Sequence, residues 1–132
     1  MKRQRATVIV EIDRRILLVE NRGGLVLLPG GGIDPQESRL QAAARELAEE
    51  TGLVAESLLF LFDHESASHD HHVFLAAAPG TPVAADDAML LHFHDHDDPS
   101  AGRRMSQATR EIIGRFLALR ADQGVGFAAC WR

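Results

Sequence analysis

The chain has no tyrosine, one tryptophan and one cysteine among its 132 residues, and only 5% of it is aromatic. Each scarcity removes a class of explanation. A lone thiol, Cys130, cannot close an intrachain disulfide, so the fold is expected to hold without covalent staples, as in a reducing cytoplasm. Few rings are on hand to stack against a base. Positive charge is short as well: Lys and Arg number 14 against 19 Asp and Glu, a net charge of −5. That balance argues against nucleic acid or an anionic membrane as partner. Long apolar runs are missing too, so no transmembrane helix is expected. Val8-Ile9-Val10 breaks at Glu11 and Asp13, too soon for the core of a signal peptide. What remains, 45% hydrophobic and 25% charged, is the make-up of one globular domain over residues 1–132.

Along the chain, the β-branched segment Ala6 to Ile12 reads as a strand, Asp13-Arg14-Arg15 as a turn, and Ile16 to Glu20 as a second strand. Asn21-Arg22-Gly23-Gly24 punctuates, and Leu25 to Leu28 leads into Pro29 and the triple glycine Gly30-Gly31-Gly32. Ser57 to Phe62 and His72 to Ala77 read as a strand pair across a polar connection, and Ala88 to Phe93 as another strand. Ser106 to Leu119 has helical periodicity, with Ala108, Ile112, Ile113, Phe116 and Leu117 on one face. Gln123-Gly124-Val125-Gly126 is expected to break that helix, leaving Phe127, Cys130 and Trp131 as an apolar tail folded onto the domain. Strands interrupted by two helices suggest an α/β fold, a mixed sheet between helices.

The rest is organised around Gly31 to Leu53. Ser38 and Gln41 have capping-box spacing, with Asp34 and Pro35 as an alternative start, and Gly52 ends the helix. Leu40, Ala43, Ala44 and Leu47 form its expected apolar stripe. Glu46, Glu49 and Glu50 recur at spacings of three and four, which places three carboxylates on one flank. Like charges so placed destabilise a helix by roughly 0.2–0.5 kcal/mol per pair. The basic neighbour, Arg45, precedes Glu49 in the weaker order for an i,i+4 pair. A flank left unneutralised in this way calls for a hard divalent cation, Mg²⁺ or Mn²⁺, which also takes ligands from substrate phosphates.

Gly31, Glu37 and the run Arg45-Glu46-Leu47-Ala48-Glu49-Glu50-Thr51-Gly52-Leu53 together resemble the Nudix hydrolase signature at every specified position. Average residue usage would produce that coincidence on the order of once in 10⁹ start points. The resemblance implies a Nudix-type α/β/α sandwich and hydrolysis of a pyrophosphate bond in a nucleoside diphosphate linked to another moiety. It implies Glu49 and Glu50 as principal Mg²⁺ ligands and Glu46 as a further ligand or the group polarising the water. It also implies that the Gly30 carbonyl completes the coordination sphere, that Arg45 orients the carboxylates and Glu37 ties loop to helix, and that Gly31 and Gly52 are structural. A distal acid completes such sites, and Asp87, with Asp86 behind it, is the match here. Arg22, in the loop before the third strand, is a candidate for meeting a substrate phosphate.

Val26 stands where many relatives carry tryptophan, and Gln36 where glycine commonly precedes the signature glutamate. Residues marking particular substrate subclasses are missing: the window beyond the box holds Ala67-Ser68-His69-Asp70-His71. By elimination the default substrate is a nucleoside triphosphate. The alternative is a Nudix-fold module that binds a nucleotide without cleaving it, and homodimerisation is left open. All seven histidines fall between His64 and His96. His92, His94 and His96 would share a face on a strand, as zinc ligands do. Solvent-facing positions are nonetheless expected for them, as for His69, His71 and His72.

Overall fold

In the computed structural model of the chain, residues 2–98 and 104–129 are described, with side chains through residue 121. β-branched and apolar residues dominate Arg3–Ile12, which forms β1, the strand to which the others attach. One edge of β1 is shared. Its Arg5 to Thr7 part pairs antiparallel with β4 (Gly30–Gly32), and its far end, Glu11 and Ile12, pairs with β2 (Arg15–Glu20). Along its other edge β1 runs parallel to β6 (His69–Ala77), from Arg3 opposite His69 to Val10 opposite Ala76. β5 (Ser57–Glu65) joins β6 antiparallel, while β2 carries β3 (Val26–Leu27) and β7 (Leu90–His94). The sheet is therefore mixed, in the order β3-β2-β1-β6-β5.

Helices cover both faces. On one, α1 (Arg39–Thr51) buries Ala42, Ala43 and Leu47 against Ala6, Val8, Val10, Leu17 and Phe74. On the other, α2 (Gln107–Ala129) buries Ile112, Ile113 and Phe116 against Ile9, Ile16, Leu18, Val73 and Leu75. This double cover explains why Ala6 to Val10 is buried at every position, with Thr7 the one polar residue in the run. Each large aliphatic or aromatic side chain so buried contributes roughly 1.5–3 kcal/mol against exposure. The molecule is thus an α/β/α sandwich.

Several details depart from the sequence pattern. Leu40, on the first turn of α1, is 48% exposed, and Ala42 joins Ala43 and Leu47 in the buried stripe. The polar connection after Phe62 is mostly strand, since β5 runs to Glu65 and β6 begins at His69. α2 does not break at Gln123 to Gly126 but continues to Ala129. A glycine inside a helix costs about 1 kcal/mol relative to alanine, which weakens a helix without forbidding it. The expected tail at Phe127, Cys130 and Trp131 lies outside the residues whose side chains are described. Among the described residues, no helix is long and apolar enough to cross a membrane.

Candidate active site

The loop from Pro29 to Ser38 and the helix after it are fixed by local bonds. Ser38 Oγ accepts from Gln41 N at 3.0 Å, and Gln41 Oε1 accepts from Ser38 N at 2.8 Å, a reciprocal capping box. Gly52 ends α1 at φ 73°, its N–H donating to Ala48 O. Gly30 sits at φ 152°, and a Cβ there would lie 2.2 Å from the Ala6 carbonyl oxygen. β4 can lie against β1 only because that atom is missing. At Gly31 the missing Cβ leaves room for the Glu46 carboxylate, whose oxygens would stand 2.5 and 2.7 Å from it.

Arg45 organises the acids. Its Nε and NH2 donate to the two oxygens of Glu37 at 3.1 and 2.5 Å, a bidentate pair. Its NH1 donates to Glu46 at 2.9 Å and to Glu49 at 3.2 Å, and NH2 also reaches the Gly32 carbonyl at 3.1 Å. Glu37 in turn accepts from Asp34 N at 2.9 Å, so loop and helix are tied through one guanidinium. The hydrogen bond from Arg45 holds the Glu37 carboxyl down to about 2. The expectation of an unneutralised acidic flank therefore needs correcting: Arg45 bonds Glu46 and Glu49 directly. Adjacent positions and the weaker i,i+4 order gave no hint of this, because the long side chain folds back across its own turn.

Beyond Arg45 the acids diverge. Glu46 and Glu50 open into a cavity of about 390 Å³ that Arg22, Asp87, Gly30 and Gly31 also line. Glu49 stays outside it, with 43% of its side chain exposed. Glu37 and Gly52 are not at the cavity either. Glu50 is 8% exposed, and its Oε1 accepts from Gly30 N at 2.8 Å. Burial pushes its carboxyl up to about 7, with the Glu46 and Asp87 charges adding to the rise against the Gly30 bond and Arg5. Burial also raises Glu46, with Arg45 opposing. The segment carrying Asp87 is strapped to the end of α1, through Val83 N to Thr51 O at 2.9 Å and Ala85 N to Glu50 O at 3.0 Å. Asn21 folds the loop on the far wall, its Oδ1 accepting from Gly23 N and Leu25 N at 3.0 Å each.

Among the described residues, no three His, Cys, Asp or Glu side chains converge as a ready-made metal ligand set. The donors nonetheless fit a hard divalent ion in kind. They are carboxylate and carbonyl oxygens, and two of the carboxyls are held above their ordinary range by burial in one cavity.

Sequence reasoning missed Arg5, which lines this cavity and donates from NH2 to the Leu28 carbonyl at 2.9 Å. A charged residue two positions before the buried pair Thr7 and Ile9, on the same face of the strand, was the available signal. The histidines also differ from expectation. His71, His72 and His94 are buried, at 7%, 4% and 9% exposure. β6 is covered on both sides, and polar partners make this burial tolerable. Thr7 Oγ1 lies 2.9 Å from His71 Nδ1, and His72 sits between Asp63 and Gln4 at 2.6 Å each. His92 is hydrogen-bonded to Glu20 at 2.8 Å, and His96 lies past the end of β7 beside Asp97.

Burial pushes the His71 imidazole down to about 4, with Arg5 adding to it. The unfolded chain, near 6.5, takes up that proton first, so stability is lost as pH falls from 6.5 towards 4 and levels off below. The loss attributable to His71 is expected to be on the order of 3 kcal/mol. Urea midpoints measured between pH 7 and 4 check this: His71→Gln is expected to flatten the slope, and an unchanged slope would remove the assignment.

A family model for the NUDIX domain matches residues 1–118. The chain is 34% identical over 98 residues to a Methanocaldococcus jannaschii protein named ADP-ribose pyrophosphatase, covering 66% of this chain and 58% of that one. It is 34% identical over 90 residues to a Bacillus subtilis protein carrying the provisional name 8-oxo-dGTP diphosphatase, covering 65% of this chain and 60% of that one. The chain thus spans less than two thirds of the length of either curated relative. Among solved structures, a Chromobacterium violaceum protein provisionally assigned to the nudix hydrolases superposes with a TM-score of 0.86 at 32% identity, covering 98% of this chain and 86% of that one. A MutT NUDIX hydrolase from Burkholderia pseudomallei gives 0.75 at 28%, covering 86% and 97%. Since the family model spans all but the last residues of the chain, and the sandwich superposes on solved structures of the same family, the chain belongs to the Nudix hydrolase family.

Proposed function

We propose that the protein hydrolyses a pyrophosphate bond in a nucleoside diphosphate linked to another moiety, with Mg²⁺, or Mn²⁺ in its place, as the required ion. A nucleoside triphosphate is the default substrate from the sequence, and the relatives' names add ADP-ribose and 8-oxo-dGTP to the class. One observation supports the reading above all: Glu46, Glu50 and Asp87 meet the Arg22 and Arg5 cations and the Gly30 backbone in a single cavity. Glu50 and the Gly30 carbonyl, at the cavity, and Glu49, which shares the Arg45 NH1 donor with Glu46, would hold the ion, with Glu46 a further ligand or the group polarising the water. When bound, it neutralises charge on phosphoryl oxygens and lowers the pKa of a coordinated water.

The chain's own groups do the rest. Arg22 and Arg5 face the phosphates as fixed donors. Glu46, kept basic by burial, takes a proton from the attacking water, and Asp87 is the distal acid assisting it across the cavity. Arg45 holds Glu46 in place and, through Glu37, fixes the loop to the helix. A lone thiol agrees with a cytoplasmic setting.

The test is product release from a panel of nucleoside triphosphates, dinucleotides and nucleotide sugars. Turnover is expected with Mg²⁺ and loss of it in EDTA, restored by added Mg²⁺ or Mn²⁺. Nucleotide binding without turnover under any of these conditions would make the protein a non-catalytic module instead.

A further inference from the structure

A second cavity, of about 660 Å³, opens behind the first, between the β5–β6 hairpin and the start of α2. The two cavities share Arg5 and Leu27 in their walls, so Arg5 stands at the neck between them. Its guanidinium makes a single hydrogen bond among the described residues, to the Leu28 carbonyl, and no ion pair within 4 Å. Burial works against its charge, and the Glu50 and Glu46 carboxylates on the catalytic side support it. A guanidinium has five N–H donors, so most of its donor capacity is uncommitted.

The other charges of the larger cavity are already matched. Lys2 pairs with Glu65, and Glu111 accepts from Gln107 at 3.2 Å and meets His64 at 3.1 Å. His71 is neutral near pH 7, since burial holds it down to about 4. Arg5 is thus the charge at the junction with no ion pair among the described residues, and a phosphate is the group a guanidinium fork fits best there.

The lining beyond the neck is rich in small donors and acceptors: Ser66, Ser68, His69, His71 and Gln107. No Phe or Trp lines it, so a purine finds no carbocyclic face to stack on. His69 and His71 lean on one another, ring centroids 5.7 Å apart. Hydroxyl, imidazole and amide groups at this spacing suit a ligand that is itself covered in hydroxyls. The volume accommodates a pentose or hexose.

We propose that Arg5 is the residue through which the site selects its substrate, gripping the phosphate at the neck while the larger cavity seats the sugar of a nucleoside diphosphate sugar. This rests on the hydrolase reading and narrows it, departing from the triphosphate default. In the reaction, the oxygen of water bonds to one phosphorus and the bridging oxygen leaves with the other. The products are a nucleoside monophosphate and a sugar phosphate, and the proton of water passes to solvent.

Calorimetric titration of the purified chain in EDTA, with ADP-ribose, UDP-glucose, ATP and dGTP, tests the choice without relying on turnover. The sugar nucleotides are expected to bind at least roughly tenfold more tightly than either triphosphate, the scale of a charge-assisted bond plus neutral ones. Gln107→Leu, on the exposed first turn of α2, is expected to erase that preference. Arg5→Gln is expected to weaken the sugar nucleotides roughly tenfold, with Arg5→Lys restoring part of the loss. In turnover with Mg²⁺, Gln107→Leu is expected to act on KM for the sugar nucleotides rather than on kcat. Triphosphates binding as tightly as the sugar nucleotides, or Arg5→Gln and Arg5→Lys both folding with unchanged affinity, would overturn the proposal. Absence of turnover with the sugar preference intact would remove the hydrolase reading alone. Hydrolysis and tight binding confined to triphosphates would remove this inference alone.

Discussion

Glu50→Gln is expected to lower kcat at least roughly 10²-fold, the scale of losing several kcal/mol of metal-borne charge stabilisation, while the protein stays folded. The two halves of that result have separate causes. Glutamine presents an oxygen where Glu50 Oε1 accepts from Gly30 N at 2.8 Å, so the bond holding loop to helix survives. The charge does not survive, and with it goes the attraction for a divalent ion. The stability effect has a defined sign. Glu50 is held up to about 7 in the folded chain, above its ordinary 4.5. Its contribution to stability is therefore complete below pH 4.5 and is lost as pH rises through 7. The amide escapes that loss, so at pH 8 without metal the variant is expected to melt no lower than the wild type. Steady-state kinetics and a melting curve at pH 8 check both halves, and near-wild-type kcat would remove Glu50 from the ion's ligands. A functional site that is weaker than it needs to be for folding is a common trade-off.

Gly30→Ala is expected to cost more than roughly 3 kcal/mol of stability, at the upper end for steric overpacking. The added Cβ would lie 2.2 Å from the Ala6 carbonyl oxygen and 3.0 Å from Thr7 Cα, both on the β1 backbone. Neither atom can yield without pulling β4 away from β1, where Thr7 stands opposite Gly30. Gly31→Ala makes a contrasting case one residue on. Its Cβ would meet the carboxylate end of Glu46, a side chain that can swing aside. That variant is expected to keep most of its stability and lose activity, because Glu46 and its bond to Arg45 are displaced. Urea midpoints for the two alanines, read beside kcat, separate the roles. A Gly30→Ala protein within about 1 kcal/mol of wild type would show that the β1–β4 contact is slack.

The signature helix was largely legible in advance because its signals are local. Ser38, Gln41 and Gly52 act within a turn of themselves, and the structure uses all three as caps. What could not be read was tertiary. Nothing within one turn of Leu40 says that its end of the helix is left uncovered, when Ala43 and Leu47 on the same face are buried. The burial of His71 and His72 follows from β6 being covered on both faces, which depends on strands far away in sequence. The glycines of α2 look like a stop signal to local propensity, and the helix passes through them. For the site, side-chain spacing placed three glutamates on one flank but not the reach of Arg45 from Glu46 to Glu49. Arg5 escaped notice because the expected strand began at Ala6, one residue past it, whereas β1 begins at Arg3.

The pairing of β1 with β6 also bears on how the chain is made. Arg3 to Val10 lies beside His69 to Ala76, so β1 emerges from the ribosome well before its parallel neighbour exists. The β-hairpin with β2 can close early, yet it touches β1 only at Glu11 and Ile12. α1 and β4 can cover one face and part of one edge of Ala6 to Val10, but the other edge and the face beneath α2 stay open until residues beyond His69 have been synthesised. Contacts this distant in sequence slow folding, and a greasy strand waiting for its neighbour is where nascent chains adhere to one another. The strand that anchors the finished sheet is thus the segment a chaperone would hold during translation.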